Sequence, residues 1–475
     1  MADSYLKRAV SSSGNQRTYT VSAWCKIGNT DGSKTIFGSD VEDDGANYGS
    51  LSIEADGLIK FINLTSSVLV TNYQSNRKML DQTSFFHIVL RVDTTQSTAG
   101  DRIRIYINGE QITSWAYSTT PNQNTDTGVF KSGNATLIGA RHSSSSQNFW
   151  NGNLAHVHIV EGQSYAPTVF AEADSTTGEW KPILTPSVTY SADNSAFLKF
   201  ENSGALGTDS SGESNDFTVV GSLKQSVSTP SNLFCTLDAN QAYAASNIHY
   251  AGTSFLGTST NARGCASTQM VKNGKWYFEV KVETDRTSAD GSTISIAKNG
   301  THAQRRWRFE GANAIVGKET GSNGCEGITY QPMTSTPNII DDGGGGTVNY
   351  GSTASANDII MVAVDLSAAT SKIWFGKNGT WFNAPGTSNV GDPANGYNAG
   401  LSFAKGDDFW GINITGVVNA ADDTNKYMFC NFGEGRFGTT AVASANADGG
   451  SIGAFEYAVP SGFYAICTKN IKDYG

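Results

Sequence analysis

A chain of 475 residues with 33 Lys and Arg against 43 Asp and Glu carries a net charge of −10. That balance excludes a general nucleic-acid binder, which needs positive charge to displace counterions. Hydrophobic residues make up 38%, too many for a disordered chain, yet no apolar run approaches the roughly 18 residues of a membrane span and the first residues form no apolar signal segment.

Charged residues are only 16% while Gly counts 52, the composition of many short strands joined by tight turns. The length could hold about three average domains, or equally two β-sandwiches of about 200–250 residues each. Six cysteines, Cys25, Cys235, Cys265, Cys325, Cys430 and Cys467, are scattered singly. Without a CxxC pair they suggest neither a zinc ribbon nor a redox site, and they read as reduced, buried thiols.

In chain order, Thr18–Ile27 (TYTVSAWCKI) is rich in strand formers, with Trp24 on the opposite parity from Tyr19, Val21 and Ile27. Phe86–Asp93 alternates cleanly, placing Phe86, Ile88, Leu90 and Val92 on one face, and Arg102–Gly109 does the same with Ile103, Ile105 and Ile107 before reversing at Asn108-Gly109. Such alternation predicts one face on a core and one toward water. Further strands are expected at Thr136–Ala140, Leu154–Val160 and Phe197–Glu201. The order Y-T-V-S-A-W, F-H-I-V-L-R-V-D, R-I-Y-I-N-G, L-I-G-A and F-W-N-G-N-L-A-H-V-H-I, over about residues 15–165, resembles the LamG-like, concanavalin-type jelly roll.

Asn202–Asp216 is rich in Gly, Ser, Asn and Asp and reads as a linker. The expected organisation is therefore 1–203 as a LamG-like sandwich, 204–216 as linker and 217–475 as a second sandwich. The strings DSSGESNDFTVVGS and STPSNLFCTLD, within Asp209–Asp238, resemble a junction in tail and structural proteins of marine tailed bacteriophages that bridges a LamG-like and an SPRY-like domain.

In the second half, Gly274–Glu283 places Trp276, Phe278, Val280 and Val282 on one face and Tyr277, Glu279, Lys281 and Glu283 on the other. The glycine run within Asp341–Thr347 is too permissive for a strand interior. Asn357–Phe382 holds two apolar segments, Ile359–Leu366 and Lys372–Phe375, and an Asn378-Gly379 step suited to a primed hairpin turn. The pattern predicts a three-stranded meander, with Trp374 or Trp381 against the second core. K-I-W-F-G-K-N-G-T-W, at Lys372–Trp381, resembles the SPRY hallmark, and PSGFYAICTKNI at Pro460–Ile471 resembles the phage version of that domain. Long inserts at 285–357 and 383–426 depart from the typical pattern, so ligand pockets of the family do not transfer to this chain. The fold class expected is all-β, two jelly-roll or concanavalin-like β-sandwiches in tandem.

Glucanases that share the jelly roll carry carboxylates spaced Glu-x-Asp-x-x-Glu. Here Glu54-Ala55-Asp56 and Glu172-Ala173-Asp174 both lack the third member, so no enzyme is expected. His156 and His158 would share one strand face, but zinc wants a third ligand that the sequence does not offer; the plainer reading is an ordinary strand pair. Asp40, Glu42, Asp43 and Asp44 form an acidic run, with Asp40, Asp43 and Asp44 the candidate donors for calcium and a solvated turn the alternative. No other cofactor is implied.

Arg305, Arg306, Trp307 and Arg308 could grip an anionic glycan or an acidic subunit through guanidinium pairing, or could be a strand whose Trp enters the core. Trp150 and Trp381 could stack on sugar rings or fill the sandwiches. The phage resemblance implies a virion structural protein, a tail fibre or tail-associated, that binds host-surface glycan. The alternative is an assembly or decoration protein of capsid or tail adaptor with no host ligand. The partners implied are other virion proteins, further copies in a homo-oligomer and a host glycan, without nucleic acid or membrane insertion, in a virion assembled in the host cytoplasm. No shaft or separate anchor is evident before Tyr5, so attachment is expected through a sandwich face or loops.

Overall fold

The computed structural model describes residues 4–29, 31–40, 46–142, 148–242, 247–257, 263–283, 293–298, 327–334, 336–341, 346–416 and 426–475. They fall into two compact units, one of Met1–Gln225 with Thr229–Ser231, the other of Ser226–Ser228 with Asn232–Gly475. Each unit is a β-sandwich. Among the described residues the only α-helix is Thr468–Tyr474.

In the first unit an eight-stranded sheet runs in the order Trp115–Thr119, Val68–Lys78, Leu58–Thr65, Tyr48–Ile53, Lys34–Asp40, Ala135–Ile138, Tyr5–Ala9 and Thr218–Val220. It faces a six-stranded sheet ordered Ala196–Leu198, Gly152–Glu161, Thr18–Ile27, Phe86–Asp93, Ile103–Ile107 and Glu110–Gln111. The alternating residues Phe86, Ile88, Leu90, Val92, Ile103, Ile105 and Ile107 all enter the core between them, with Tyr19, Val21, Phe37 and Phe61.

The opposite face of the six-stranded sheet does not meet water as alternation predicts. Val89, Tyr106 and Val160 form a second apolar layer with Phe170, against which Tyr165, Val188 and Tyr190 pack. Arg91 Nη2 donates to the carbonyl of Ser164 at 2.8 Å, which helps fix the covering segment. Its own strands are short, Ala171–Ala173 and Trp180–Pro182, and so carry little alternation to read.

Residues 202–216 belong to the first unit rather than lying between the two. Asp209 accepts from the backbone N–H of Phe197 at 2.8 Å and of Ser211 and Asn215 at 2.9 Å. Asn215 Nδ2 donates to the carbonyls of Ala192 and Ser195 at 3.0 and 2.8 Å. Thr218–Val220 then pairs antiparallel with Tyr5–Lys7. The units divide near 225–232. Asp, Asn and Ser bond their own backbone in turns, so a composition that suits a linker suits this pinned loop equally well.

The second unit packs a nine-stranded sheet against a six-stranded one. Lys275–Val282 is central to the larger sheet, paired with Ile359–Asp365 and Lys426–Asn431. Trp276, Phe278, Val280 and Val282 lie between the sheets, as their parity predicts, beside Ile373 and Phe375. The smaller sheet runs Arg263–Val271, Trp410–Gly416, Thr293–Lys298, Gly327–Gln331, Asn338–Asp341 and Gly346–Asn349. Of the glycine run, residues 342–345 lie outside the described residues, and Asp341 pairs with Gly346 across it.

The meander forms as read: Ile359–Asp365 pairs with Thr370–Lys377, which pairs with Thr380–Trp381. Asn378 and Gly379 have φ of +50° and +85°, the double positive φ of a type I′ turn. Its tryptophans do not lie between the sheets. Trp374, fully buried, and Trp381, half-buried, join a separate layer with Tyr277, Phe455 and Phe463, where the C-terminal segment closes over the outer face.

Gly379→Val places a β-branched side chain at positive φ, with its Cβ about 3.0 Å from the Tyr457 ring. The second unit should lose roughly 1–3 kcal/mol, read as a lower denaturation midpoint. An unchanged midpoint would contradict the turn.

Candidate functional site

The candidate site is the outer face of the eight-stranded sheet in the first unit. Side chains of a strand alternate between faces, and here the inward set Ile59, Phe61 and Tyr73 fills the core. The outward set toward Trp115–Thr119 is mostly polar, with Ile62 the apolar member. Register places Tyr117 beside Gln74, Gln74 beside Lys60 and Lys60 beside Ser52. The adjacent row runs Thr119, Asn72, Ile62, Ser50, Gly38, Leu137 and Lys7.

Tyr117 is 61% exposed at the sheet edge; Lys60, Ile62, Asn72 and Gln74 are half-buried, and Ser50 and Ser52 are buried. The result is a shelf of amides with one aromatic ring at its rim. Lys60 has no ion-pair partner among the described residues, and Asn72 Oδ1 is buried without a hydrogen-bond donor. Such a surface can stack one ring on Tyr117 while offering neutral hydrogen-bonding groups and one cation.

Further across the sheet the face is closed. A Cβ on Gly38 would meet the Ala140 carbonyl oxygen at 2.4 Å, so glycine is what lets residues 140–142 lie against the strand. The Arg141 guanidinium sits 4.7 Å from the Tyr48 ring centroid, and His142 packs edge-on to the same ring. His142 Nδ1 bonds the carboxylate of Asp40.

This placement bears on the acidic run. Asp40 is fully buried in the strand Lys34–Asp40 and engaged by His142, so it is not a solvated loop ligand. Asp43 and Asp44 lie outside the described residues, as do Glu42, Arg305, Arg306, Trp307, Arg308 and Cys325. Among the described residues no group of three or more His, Cys, Asp or Glu is placed to hold a metal ion.

Trp150 packs half-buried against the first core, its backbone N–H donating to the Gly139 carbonyl at 2.9 Å, and Trp381 packs against Tyr277 with ring centroids 6.3 Å apart. Neither is a free stacking platform. The described cysteines, Cys25, Cys235, Cys265, Cys430 and Cys467, are buried thiols with no disulfide among them.

His156 and His158 both reach Phe197, at centroid distances of 5.9 and 3.9 Å, on the covered face of the six-stranded sheet. His87, which the sequence did not single out, belongs to the same layer. It stacks on Trp24 at 5.0 Å, and its Nδ1 accepts from Trp180 Nε1 at 3.1 Å. The neutral ring therefore carries its proton on Nε2, 2.8 Å from Ser22 Oγ. His158 Nδ1 bonds Tyr190 OH at 2.8 Å. Burial, with a smaller contribution from nearby His156, holds His87 down to about 3 from an ordinary 6.5. Burial likewise pushes His158 well below its ordinary value. These rings are neutral structural groups.

The shelf residues Asn72 and Gln74 escaped the sequence reading because Val68–Lys78 alternates polar with polar around Tyr73. Its core parity is masked by Thr71 and Ser75, both buried.

With this geometry in view, comparison with known proteins gives one family match: residues 2–170 fit the Laminin_G_3 family, the Concanavalin A-like lectin/glucanases superfamily. That domain is LamG-like. No curated protein matches the chain. Among solved structures the chain is similar to domains LG4-5 of the mouse laminin alpha1 chain, with 10% identity over 90% of this chain and 84% of that one and a TM-score of 0.29. It is similar to the SPRY domain of human HERC1, at 14% identity over 41% and 96% with a TM-score of 0.27. A third likeness is to full-length tailspike protein 2 of Escherichia coli O157:H7 bacteriophage CAB120, at 14% identity over 34% and 22% with a TM-score of 0.26. At these scores the likenesses carry no inference about ligand or partner.

The buried histidines set an acid limit on the first unit. As pH falls below 6.5 an unfolded chain protonates His87, while the folded chain does not until about 3. Stability should therefore fall through that window, by up to about 1.4 kcal/mol per pH unit for a single group. His87→Gln should flatten the pH dependence of the denaturation midpoint between pH 6 and 4, at whatever cost it has at neutral pH.

Proposed function

We propose that this chain is a bacteriophage virion structural protein, a tail fibre or tail-associated, that binds host-surface glycans on the outer shelf of its LamG-like domain and does not cleave them. The observation that carries the binding is the row Tyr117, Gln74 and Lys60 with Asn72 beside it, an aromatic rim over amides and one cation without an ion-pair partner among the described residues, on a lectin-type sandwich. Sugar rings present an apolar C–H face and a fringe of hydroxyls, which such a surface complements. The phage assignment is supported by the resemblance of Asp209–Asp238 to a phage-protein junction.

The carboxylates nearest to a glucanase signature are otherwise engaged. Glu54 accepts from the hydroxyls of Ser52 and Ser33 at 2.7 and 3.3 Å, and Asp56 accepts from the N–H of Leu58 at 3.2 Å. Asp174 and Glu172 pair with Lys181 at 3.0 and 3.6 Å. No cofactor is assigned.

A shallow shelf leaves little surplus over the cost of association, so useful avidity comes from many copies in one particle. Oligomeric protein incubated with host cells should bind them and delay phage adsorption. The double variant Tyr117→Ala, Gln74→Ala should weaken cell binding by about tenfold or more. Binding that survives the double variant would remove the shelf. Absence of any cell binding would favour an assembly or decoration role without a host ligand, and release of reducing sugar from host polysaccharide would make the protein an enzyme.

A further inference from the structure

The second unit carries an aromatic side chain whose backbone is fixed on both sides and whose ring is free. Asp392 and Tyr397 exchange both backbone hydrogen bonds, at 2.9 and 3.0 Å, closing a tight hairpin over Pro393–Gly396. The fully buried Trp374 donates from Nε1 to the Tyr397 carbonyl at 2.8 Å, and Lys372 Nζ donates to the Gly396 carbonyl at 2.7 Å. Gly391 N–H donates to the Phe382 carbonyl at 2.9 Å, tying the base of the insert to the meander. The Tyr397 side chain is nevertheless 67% exposed, more than any other described large hydrophobic.

Burying that ring would be favourable, and an unsupported loop would let it fold back. Here the frame that fixes Tyr397 also turns it outward. Preorganisation of this kind lowers the entropy lost on binding.

The surroundings select the class of ligand. The one formal charge in the hairpin, Asp392, is capped by the Asn395 backbone N–H at 3.2 Å and by Asn395 Nδ2 at 2.8 Å. Asn398 Nδ2 donates to the Val390 carbonyl at 2.9 Å, which leaves its Oδ1 as a neutral acceptor, and Asn389 is exposed, its side-chain amide without a hydrogen-bond partner among the described residues. Two exposed apolar residues, Val390 and Tyr397, fall far short of the roughly 20 residues a side of a stable protein interface.

We infer that the Asp392–Asn398 hairpin is a second carbohydrate site, on which Tyr397 stacks against the C–H face of a neutral pyranose while the surrounding asparagine amides meet its hydroxyls. It takes its ligand class from the carbohydrate reading of the first unit but shares no residue with that shelf, so each stands or falls by its own variants.

The test is saturation-transfer NMR on the full chain with a mixture of neutral di- and trisaccharides of glucose, galactose, mannose and N-acetylglucosamine. Transfer to sugar ring protons is expected, falling about fivefold or more in Tyr397→Ala. It should persist at about half or better in Tyr397→Phe, which keeps the stacking face, and a share of the wild-type signal should survive Tyr117→Ala. The ring is exposed, so an unchanged circular dichroism melting curve for Tyr397→Ala would exclude misfolding. Transfer that is absent with every sugar, or unaltered by Tyr397→Ala, overturns this site. Loss confined to Tyr117→Ala would do the same while supporting the shelf.

Discussion

In each unit one sheet is buried on both faces, and the closure depends on polar atoms that have been given partners away from water. Over the six-stranded sheet of the first unit, His87 accepts the Trp180 indole N–H and His158 holds the Tyr190 hydroxyl. Over the larger sheet of the second, Glu279 accepts from Tyr277 OH, Asn431 Nδ2 and the N–H groups of Glu456 and Tyr457 at 2.9–3.1 Å. Burial pushes that carboxyl up while these four donors oppose the shift. Unpaired, groups of this kind would cost about 1–3 kcal/mol each or more. Paired, they fix where a returning segment must lie.

The return segments limit where a ligand can be met. In the first unit the Phe170 layer covers the outer face of the six-stranded sheet around Val89, Tyr106 and Val160, and residues 140–142 close part of the other sheet. What remains is the half toward Trp115–Thr119, where the outward side chains include Asn72, Gln74, Lys60 and Tyr117. In the second unit the C-terminal segment takes the outer face of the larger sheet, and the turns at its margin are left to present side chains. The contact surfaces proposed for the two units lie on what the covering chain leaves uncovered.

Sequence pattern gave access to the cores and missed the covers, for a physical reason. Phe86–Asp93 and Gly274–Glu283 alternate because one face meets a second sheet, and every residue assigned inward from that alternation is inward. The outward residues Val89, Tyr106 and Tyr277 are buried as well, but by segments with too little regular structure to carry a period. Asn378-Gly379 was readable because a primed turn makes a local demand on φ. The shelf was not: its amides alternate with Thr71 and Ser75, which are polar and buried, so hydrophobic contrast along the strand is weak. Asp209 shows the limit from the other side, since the residues that make a loop soluble are those that pin it by accepting its backbone N–H groups.

Two of the hairpin asparagines, Asn108 and Asn378, share a detail that bears on chemical ageing. Asn108 Oδ1 accepts the His87 N–H at 2.7 Å, and Asn378 Oδ1 accepts the Ile359 N–H at 2.8 Å. Asn378 Nδ2 also donates to Asp358 Oδ1 at 2.6 Å. Each side chain is thereby turned back onto the strand that its hairpin closes against. An amide held this way is not free to swing forward onto the nitrogen of the following glycine, the cyclisation by which Asn-Gly steps lose ammonia. The turn chemistry that sets strand register thus also shields these two Asn-Gly steps, of the seven in the chain, from that loss.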